Sequence, residues 1–120
     1  MGIIFFSQAL VGGDKNKKAM SNSEFIEKAI RDKEVITFIY KGGKRTVEPF
    51  TLGYHKTTDN LILRAFFISG YSSSGKYNEW KIYLVDEIEN LELVGSNFRG
   101  TRVGYNPDDS DMSTILITLV

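Results

Sequence analysis

The sequence predicts a mainly β domain with one N-terminal helix, an α+β chain whose sheet is strongly bent or partly closed into a barrel. Helical spacing of apolar residues is confined to residues 21–33, whereas strand-like runs recur from Val35 to the end of the chain. Glycine, asparagine and proline interrupt these runs at short intervals, as they do where tight turns join short strands. With 120 residues, 42% of them hydrophobic, the chain has the size and composition of one globular domain.

The composition narrows the range of functions. The 15 basic residues cancel the 15 acidic ones, so bulk charge gives no general attraction to nucleic acid, although a local basic patch stays open. The absence of cysteine excludes disulfides, thiolate metal sites and cysteine catalysis. His55 is the only histidine, so a zinc site is improbable and a surface position at a strand end is the simpler interpretation. We expect a cytoplasmic protein, not an enzyme, with no cofactor and no membrane contact.

The first twenty residues are set apart from the rest. An apolar run at residues 3–6 predicts an extra edge strand, and residues 12–20 form a polar, glycine-led connector. The apolar run is too short for a secretory segment or a membrane span. We therefore divide the chain into an N-terminal extension at 1–20 and a β-rich domain at 21–120.

A short helix opens the domain. Ser21 and Glu24 have the spacing of a capping box, in which each side chain binds the backbone N–H of the other residue. Phe25, Ala29 and Ile30 share one face, and the helix ends near residues 32–33, where β-branched residues begin.

Strands follow. The Gly42-Gly43 pair predicts a two-residue hairpin turn after the first strand, and Pro49 predicts the end of the second, because proline cannot donate to a β-ladder. The predicted strands span residues 35–40, 45–48, 50–55, 61–69, 79–85, 89–94 and 115–120, and residues 95–107 are predicted to be irregular.

Arg64 is the most informative charged residue. It interrupts a strand that is otherwise apolar on both faces, which predicts a central position in the sheet. A charge in such a place must be paired or must face a ligand, because burying it alone is costly. Two interpretations follow with equal weight: a ligand contact, or a structural ion pair with Glu48 or Asp86.

Two further segments suggest ligand contacts. Residues 70–76 match the G-x-x-x-x-G-K pattern of a phosphate-binding loop, but Tyr77 replaces the magnesium-binding hydroxyl and a strand follows where a helix is needed. Ser73 and its neighbours could still line a phosphate, although a solvated hairpin loop is the simpler interpretation. Trp80 beside Lys81 combines an aromatic face with a cation, as base-binding sites do, while a core position for Trp80 is the alternative.

Acidic residues cluster near residue 109. Asp108, Asp109 and Asp111 follow Asn106-Pro107, but the glycine and glutamate of a calcium-binding loop are missing. A turn or a single capped helical turn explains this composition better.

In order and spacing, several segments resemble the WYL domain family. The segments are residues 35–40 (Val-Ile-Thr-Phe-Ile-Tyr), 45–50 (Arg-Thr-Val-Glu-Pro-Phe), 52–54 (Leu-Gly-Tyr), 61–66 (Leu-Ile-Leu-Arg-Ala-Phe), 81–91 and 98–107. The resemblance covers about residues 24–112. Leu61-Ile62-Leu63 replaces the Trp-Tyr-Leu triplet, Glu87 replaces a family arginine, and no helix-turn-helix is evident.

The resemblance implies a small SH3-like, Sm-like β-barrel that senses nucleotide-type ligands or nucleic-acid fragments in bacterial transcription regulation or near CRISPR and other phage-defence systems. The leading hypothesis is therefore a non-enzymatic regulatory module that binds a nucleotide-like or short single-stranded nucleic-acid ligand. The alternative is a protein–protein interaction module, such as a defence or anti-defence effector, or a homodimer formed through the edge strands. The candidate ligand-binding residues are Arg45, Tyr54, Arg64, Ser73, Trp80 and Lys81.

Overall fold

The computed structural model describes residues 20–120, so the predicted edge strand at 3–6 and nearly all of the predicted connector lie outside the described residues. The described part is mainly β with one N-terminal helix, as predicted. Its elements are helix α1 (Asn22–Asp32) and strands β1 (Glu34–Tyr40), β2 (Gly43–His55), β3 (Leu61–Gly70), β4 (Glu79–Leu84), β5 (Ile88–Asn97) and β6 (Met112–Thr118), with a 3-10 turn at Val85–Glu87.

Helix α1 begins and ends where the sequence predicts. Ser21 Oγ accepts from the Glu24 N–H at 3.2 Å, and Glu24 Oε1 accepts from the Ser21 N–H at 2.9 Å, which completes the capping box. Ala29 and Ile30 are buried, as predicted. Ile26 shares that buried face, and Phe25 is only partly buried against the core.

The β1–β2 hairpin turns one residue earlier than predicted. Lys41 and Gly42 are the two turn residues, with φ values of 51° and 79°, and Tyr40 is paired with Gly43. Gly43 therefore belongs to the strand. A side chain there would collide with Tyr71, because a Cβ at Gly43 would lie 2.7 Å from the Tyr71 ring.

Strand β2 continues through Pro49, so the prediction of a strand end at this residue is wrong. The register with β3 shifts between Pro49 and Thr51, and such an irregularity accommodates a residue that has no N–H to donate. Beyond the shift, the end of β2 also pairs with β6, where Gly53 lies opposite Ile115. A Cβ at Gly53 would meet the Thr114 carbonyl oxygen, so this close strand approach depends on glycine.

The strands form one antiparallel sheet in the order β4-β3-β2-β1-β5, with β6 paired to β2. Strand β3 has a neighbour on each side, so the predicted central position of Arg64 is confirmed. Barrel closure is not observed, and that prediction is wrong for residues 20–120. In this range β4 pairs with β3 alone and β5 with β1 alone, and Val85–Glu87 joins them without a ladder.

One hydrophobic cluster joins the helix to the sheet. Ile26 and Ile30 of α1 belong to it together with Phe50, Phe67 and Tyr83. The late irregular segment also contributes, because Phe98 packs on Phe50 with ring centroids 5.3 Å apart. Helix α1 is too short and too polar to cross a membrane, and it is the only α-helix in the part that the structure describes.

Candidate functional site

The register between β3 and β4 sorts the predicted site residues onto two faces. Arg64 is paired with Ile82 and Phe66 with Trp80, whereas Ala65 is paired with Lys81. Because cross-strand partners share a face and neighbours along a strand alternate, Trp80 and Lys81 lie on opposite faces. We call the face with Arg64, Phe66 and Trp80 the Arg64 face, and the other face the Lys81 face.

Arg64 is ion-paired. Its Nε donates to Asp109 Oδ2 at 2.8 Å and its Nη2 donates to Asp111 Oδ2 at 2.6 Å. The ion-pair interpretation is therefore correct, but the predicted partners are wrong. Glu48 binds Arg102 instead, with Oε1 2.8 Å from Arg102 Nε, and Asp86 is exposed.

Asp109 is the buried partner, with 6% of its surface exposed. Burial opposes its ionisation, but hydrogen bonds from Arg64 and from the Asp111 N–H outweigh burial and hold the pKa of Asp109 below its ordinary value of 3.8. The preceding residues form the predicted turn, in which Asn106 Oδ1 accepts from the Asp108 N–H at 3.0 Å. The turn directs two carboxylates at Arg64.

A cavity of about 200 Å³ opens beside this ion pair. Trp80 and Tyr105 supply aromatic rings, with centroids 6.1 Å apart and planes inclined by 25°. The Trp80 Nε1–H donates to the Val103 carbonyl at 2.9 Å, and this hydrogen bond holds the segment between β5 and β6 against the indole. The lining residues are Arg64, Trp80, Gly104, Tyr105, Asn106, Asp109 and Ser110.

The walls of this cavity are held by contacts outside it. The Tyr105 hydroxyl lies 2.5 Å from Thr118 Oγ1 and donates to the Leu119 carbonyl at 2.7 Å, which fixes the ring against β6. Gly104 has a positive φ of 89°, and a Cβ there would lie 3.0 Å from Trp80 Nε1. The backbone at Gly104 therefore packs closely on Trp80, and a larger residue at this position would crowd the indole.

The charges of the cavity indicate what it can bind. One guanidinium faces two carboxylates, so Arg64 has little positive charge left to offer a phosphate. The volume is smaller than the roughly 300–1,000 Å³ typical of drug-sized ligand pockets. Aromatic walls with amide, hydroxyl and carboxylate groups suit one planar polar ring.

Arg45 lies two residues before Val47, whose partner Phe67 is on the Lys81 face, so Arg45 also lies on the Lys81 face; it is 5% exposed. Its Nη2 donates to the Tyr40 carbonyl at 2.9 Å, and its Nε donates to the Gly43 carbonyl at 3.3 Å. The guanidinium lies between two aromatic rings, 5.5 Å from the centroid of Tyr40 and 5.2 Å from that of Tyr71. No carboxylate between residues 20 and 120 forms an ion pair with Arg45.

The other predicted residues lie apart from the cavity. Lys81 Nζ is 2.9 Å from Glu79 Oε2 and 5.5 Å from the Phe67 ring centroid. Tyr54 is half-buried near the end of β2, and Ser73 is exposed in the loop that precedes β4. This loop leads into a strand, as predicted, and not into a helix. Of the six predicted residues, only Arg64 and Trp80 meet at the cavity.

Sequence reasoning missed Tyr105, Asn106, Asp109 and Ser110 as members of this site. One signal was present, because a buried arginine requires an acid nearby, but the sequence separation of 45 between Arg64 and Asp109 hides the pairing. Comparisons of the chain with protein-family models, with curated proteins and with solved structures found no match. The resemblance to the WYL domain family stays a prediction.

Proposed function

We propose that the protein is a non-enzymatic ligand-binding module whose cavity takes one planar polar ring, such as the base of a nucleotide-like ligand or of a short single-stranded nucleic acid. One observation carries the proposal: the cavity combines the rings of Trp80 and Tyr105 with the polar side chains of Asn106, Asp109 and Ser110. The resemblance to the WYL domain family supports a regulatory role for such binding, in bacterial transcription or phage defence.

Stacking would supply most of the affinity. A base on an aromatic side chain gains about 1–3 kcal/mol, and this gain depends little on base identity. Asn106 Oδ1 and Asp109 Oδ2 each accept one hydrogen bond within the protein, and their remaining lone pairs can accept from amino or imino groups at a ring edge. Arg64 is neutralised by its carboxylates, so binding at this cavity should depend only weakly on salt.

Trp80 provides a direct test, because it is the only tryptophan in the chain. Its fluorescence would be followed while adenosine, uridine, their monophosphates and short single-stranded RNA and DNA oligonucleotides are added, with native mass spectrometry as a second readout. Ser110→Tyr would place a ring in the cavity. Ser96→Tyr, at an exposed position of β5, is the matched control.

We expect saturable quenching by at least one ring-bearing ligand, unchanged in S96Y and reduced at least tenfold in affinity in S110Y. The nucleoside should bind nearly as well as its monophosphate, since the cavity recognises the ring. Ligand binding that S110Y leaves intact, or no binding by any member of the panel, would contradict the proposal.

A second candidate function, protein–protein interaction, is supported by exposed apolar side chains on edge strands. Leu93 and Val94 of β5 are 47% and 49% exposed, and Leu116 of β6 is 49% exposed. Edge strands with such side chains can pair with a partner or with a second copy of the chain.

The oligomeric state tests this second function. Leu93→Lys with Val94→Lys would place two charges on the edge of β5, and Val103→Lys, at an exposed loop position, is the control. We expect light scattering to show a dimer that the double variant converts to a monomer and that V103K leaves unchanged. A wild-type monomer, or a dimer that the double variant retains, would argue against pairing through β5.

A further inference from the structure

The Lys81 face contains a buried positive charge that no carboxylate of residues 20–120 pairs with. In the described range the other partly buried arginines are neutralised, Arg64 by two aspartates and Arg102 by Glu48. The two hydrogen bonds of Arg45 to backbone carbonyls use two of the five N–H groups of a guanidinium. Arg45 therefore retains N–H groups that no backbone carbonyl or carboxylate of residues 20–120 accepts.

Next to Arg45 lies a second unsatisfied donor. The Tyr83 side chain is 1% exposed, and its hydroxyl is the only fully buried side-chain polar atom in the described part that makes no hydrogen bond. Burial raises the pKa of Tyr83 to about 12, although the Arg45 guanidinium lowers it through its charge and through a long hydrogen-bonding contact with the hydroxyl oxygen. The hydroxyl therefore keeps its proton at neutral pH and can donate it in a hydrogen bond.

The acidic residue near these donors is already engaged. The Glu79 carboxylate acts on Tyr83 through space, but its Oε2 binds Lys81 Nζ at 2.9 Å and Ser74 Oγ at 3.5 Å. Buried donors without acceptors are rare because leaving them unpaired is costly. Arg45 and Tyr83 thus offer N–H and O–H donors to an anion, and no carboxylate of residues 20–120 pairs with them.

Tyr71 covers the Arg45 guanidinium. Its ring is 55% exposed, rests on the backbone of Gly43 and lies 5.2 Å from the Arg45 guanidinium. The Tyr71 N–H donates to the Lys44 carbonyl at 2.8 Å, so the backbone of Tyr71 is anchored independently of its ring. The ring can therefore turn outward about its own side-chain torsions while the strand pairing stays intact.

We propose that Arg45 and Tyr83 form a binding site for a phosphate-type oxyanion, which enters when the Tyr71 ring turns aside. The site lies on the Lys81 face, so it is distinct from the cavity on the Arg64 face and does not depend on the function proposed for that cavity. A phosphate group presents several acceptor oxygens to the free N–H groups of Arg45 and to the Tyr83 hydroxyl. A carboxylate presents two oxygens and satisfies fewer of these donors.

The probe is inorganic phosphate, measured by calorimetric titration of the full chain at constant ionic strength, with chloride and acetate as comparison anions. Tyr71→Ala removes the covering ring. Tyr77→Ala is the matched control, because Tyr77 is also exposed in this loop but its ring packs on Phe67 and not on Arg45. Tyr83→Phe removes the hydroxyl and keeps the buried ring, so the variant retains the core packing.

We expect phosphate to bind about tenfold more tightly to Y71A than to the wild type, because the closed ring otherwise lowers the population competent to bind. Y77A should bind like the wild type. Loss of the Tyr83 donor should weaken binding about tenfold, as one hydrogen bond to a charged group does. This comparison is made between Y71A and the Y71A/Y83F double variant, where the site is open in both proteins.

Three results would overturn the proposal. The first is the absence of phosphate binding in Y71A, and the second is equal binding in Y71A and Y71A/Y83F. The third is a response to chloride as large as the response to phosphate, which would indicate general screening of basic charge. None of these results bears on ring binding at Trp80, so the two sites can fail separately.

Discussion

Arg64 and Arg45 are both arginines on sheet strands, yet their positive charges are stabilised by different kinds of partner. Arg64 on β3 meets two carboxylates from a segment far along the chain, whereas Arg45 on β2 meets backbone carbonyls and aromatic rings close to its own hairpin. Arg64 therefore serves to hold a distant segment in place. Arg45 keeps hydrogen-bonding capacity and is the better anion receptor. Burial of a charge does not reveal its role, but the identity of its partners does.

Substitution of Arg64 should cause the largest loss of stability. Arg64→Ala leaves the buried Asp109 without its cation, and breaking such a pair costs about 3 kcal/mol of unfolding free energy. Urea denaturation would measure this loss. Arg31→Ala removes an exposed helix pair with Glu27 and should cost less than about 0.5 kcal/mol. Similar losses in the two variants would show that Arg64 holds nothing in place.

Acid should weaken the Arg64 region through Asp109, with a smaller effect than loss of Arg64. The pKa of Asp109 is lowered in the folded state, so its contribution is fully present above the ordinary value of 3.8 and is lost as the pH falls through the lowered value. Asp109→Asn should remove this part of the dependence of stability on pH. Denaturation midpoints between pH 5 and pH 2 would test it, and parallel curves for both proteins would contradict the assignment.

Of the two arginines compared above, Arg45 should contribute less to stability. Arg45→Met removes two hydrogen bonds to carbonyls, but it also removes the cost of burying a charge and leaves no carboxylate of residues 20–120 unpaired, so the net cost should be about 1 kcal/mol of unfolding free energy. The same denaturation series would measure it. A loss as large as that of R64A would mean that Arg45 is a structural element and would weaken the case for anion binding at this face.

Local features of the fold were predictable from the sequence. The capping box fixed the start of α1, and the apolar run around Arg64 indicated a central strand. The continuation of β2 through Pro49 was not predictable, because it depends on a register shift against β3, and register is a property of two strands. Barrel closure failed as a prediction for the same kind of reason, since it depends on the relation of β4 to β5, which lie on either side of a 3-10 turn.

Prediction of the site was limited by strand periodicity. Adjacent positions such as Trp80 and Lys81 look like one recognition element in sequence but face opposite ways in a strand. The unsatisfied hydroxyl of Tyr83 has no sequence signature at all, because it reflects how residues 20–120 pack around that hydroxyl without placing an acceptor there. The sequence around Asp109 and Asp111 indicates only a turn. Their ion pairs with Arg64 become evident only when the folded structure brings residue 109 next to β3.

The pairing of β6 with β2 has a consequence for folding cooperativity. Thr51 and Thr118 are hydrogen-bonded at 2.8 Å although they are 67 residues apart, so pairing of β6 with β2 closes a long loop and should come late in folding. The segment that walls the cavity is held between this strand and Trp80. Local unfolding of β6 would therefore open the cavity while the other strands stay paired. A ligand in the cavity should then slow amide hydrogen exchange in β6 more than in β1, which would make the C-terminal strand a separately protected unit of the fold.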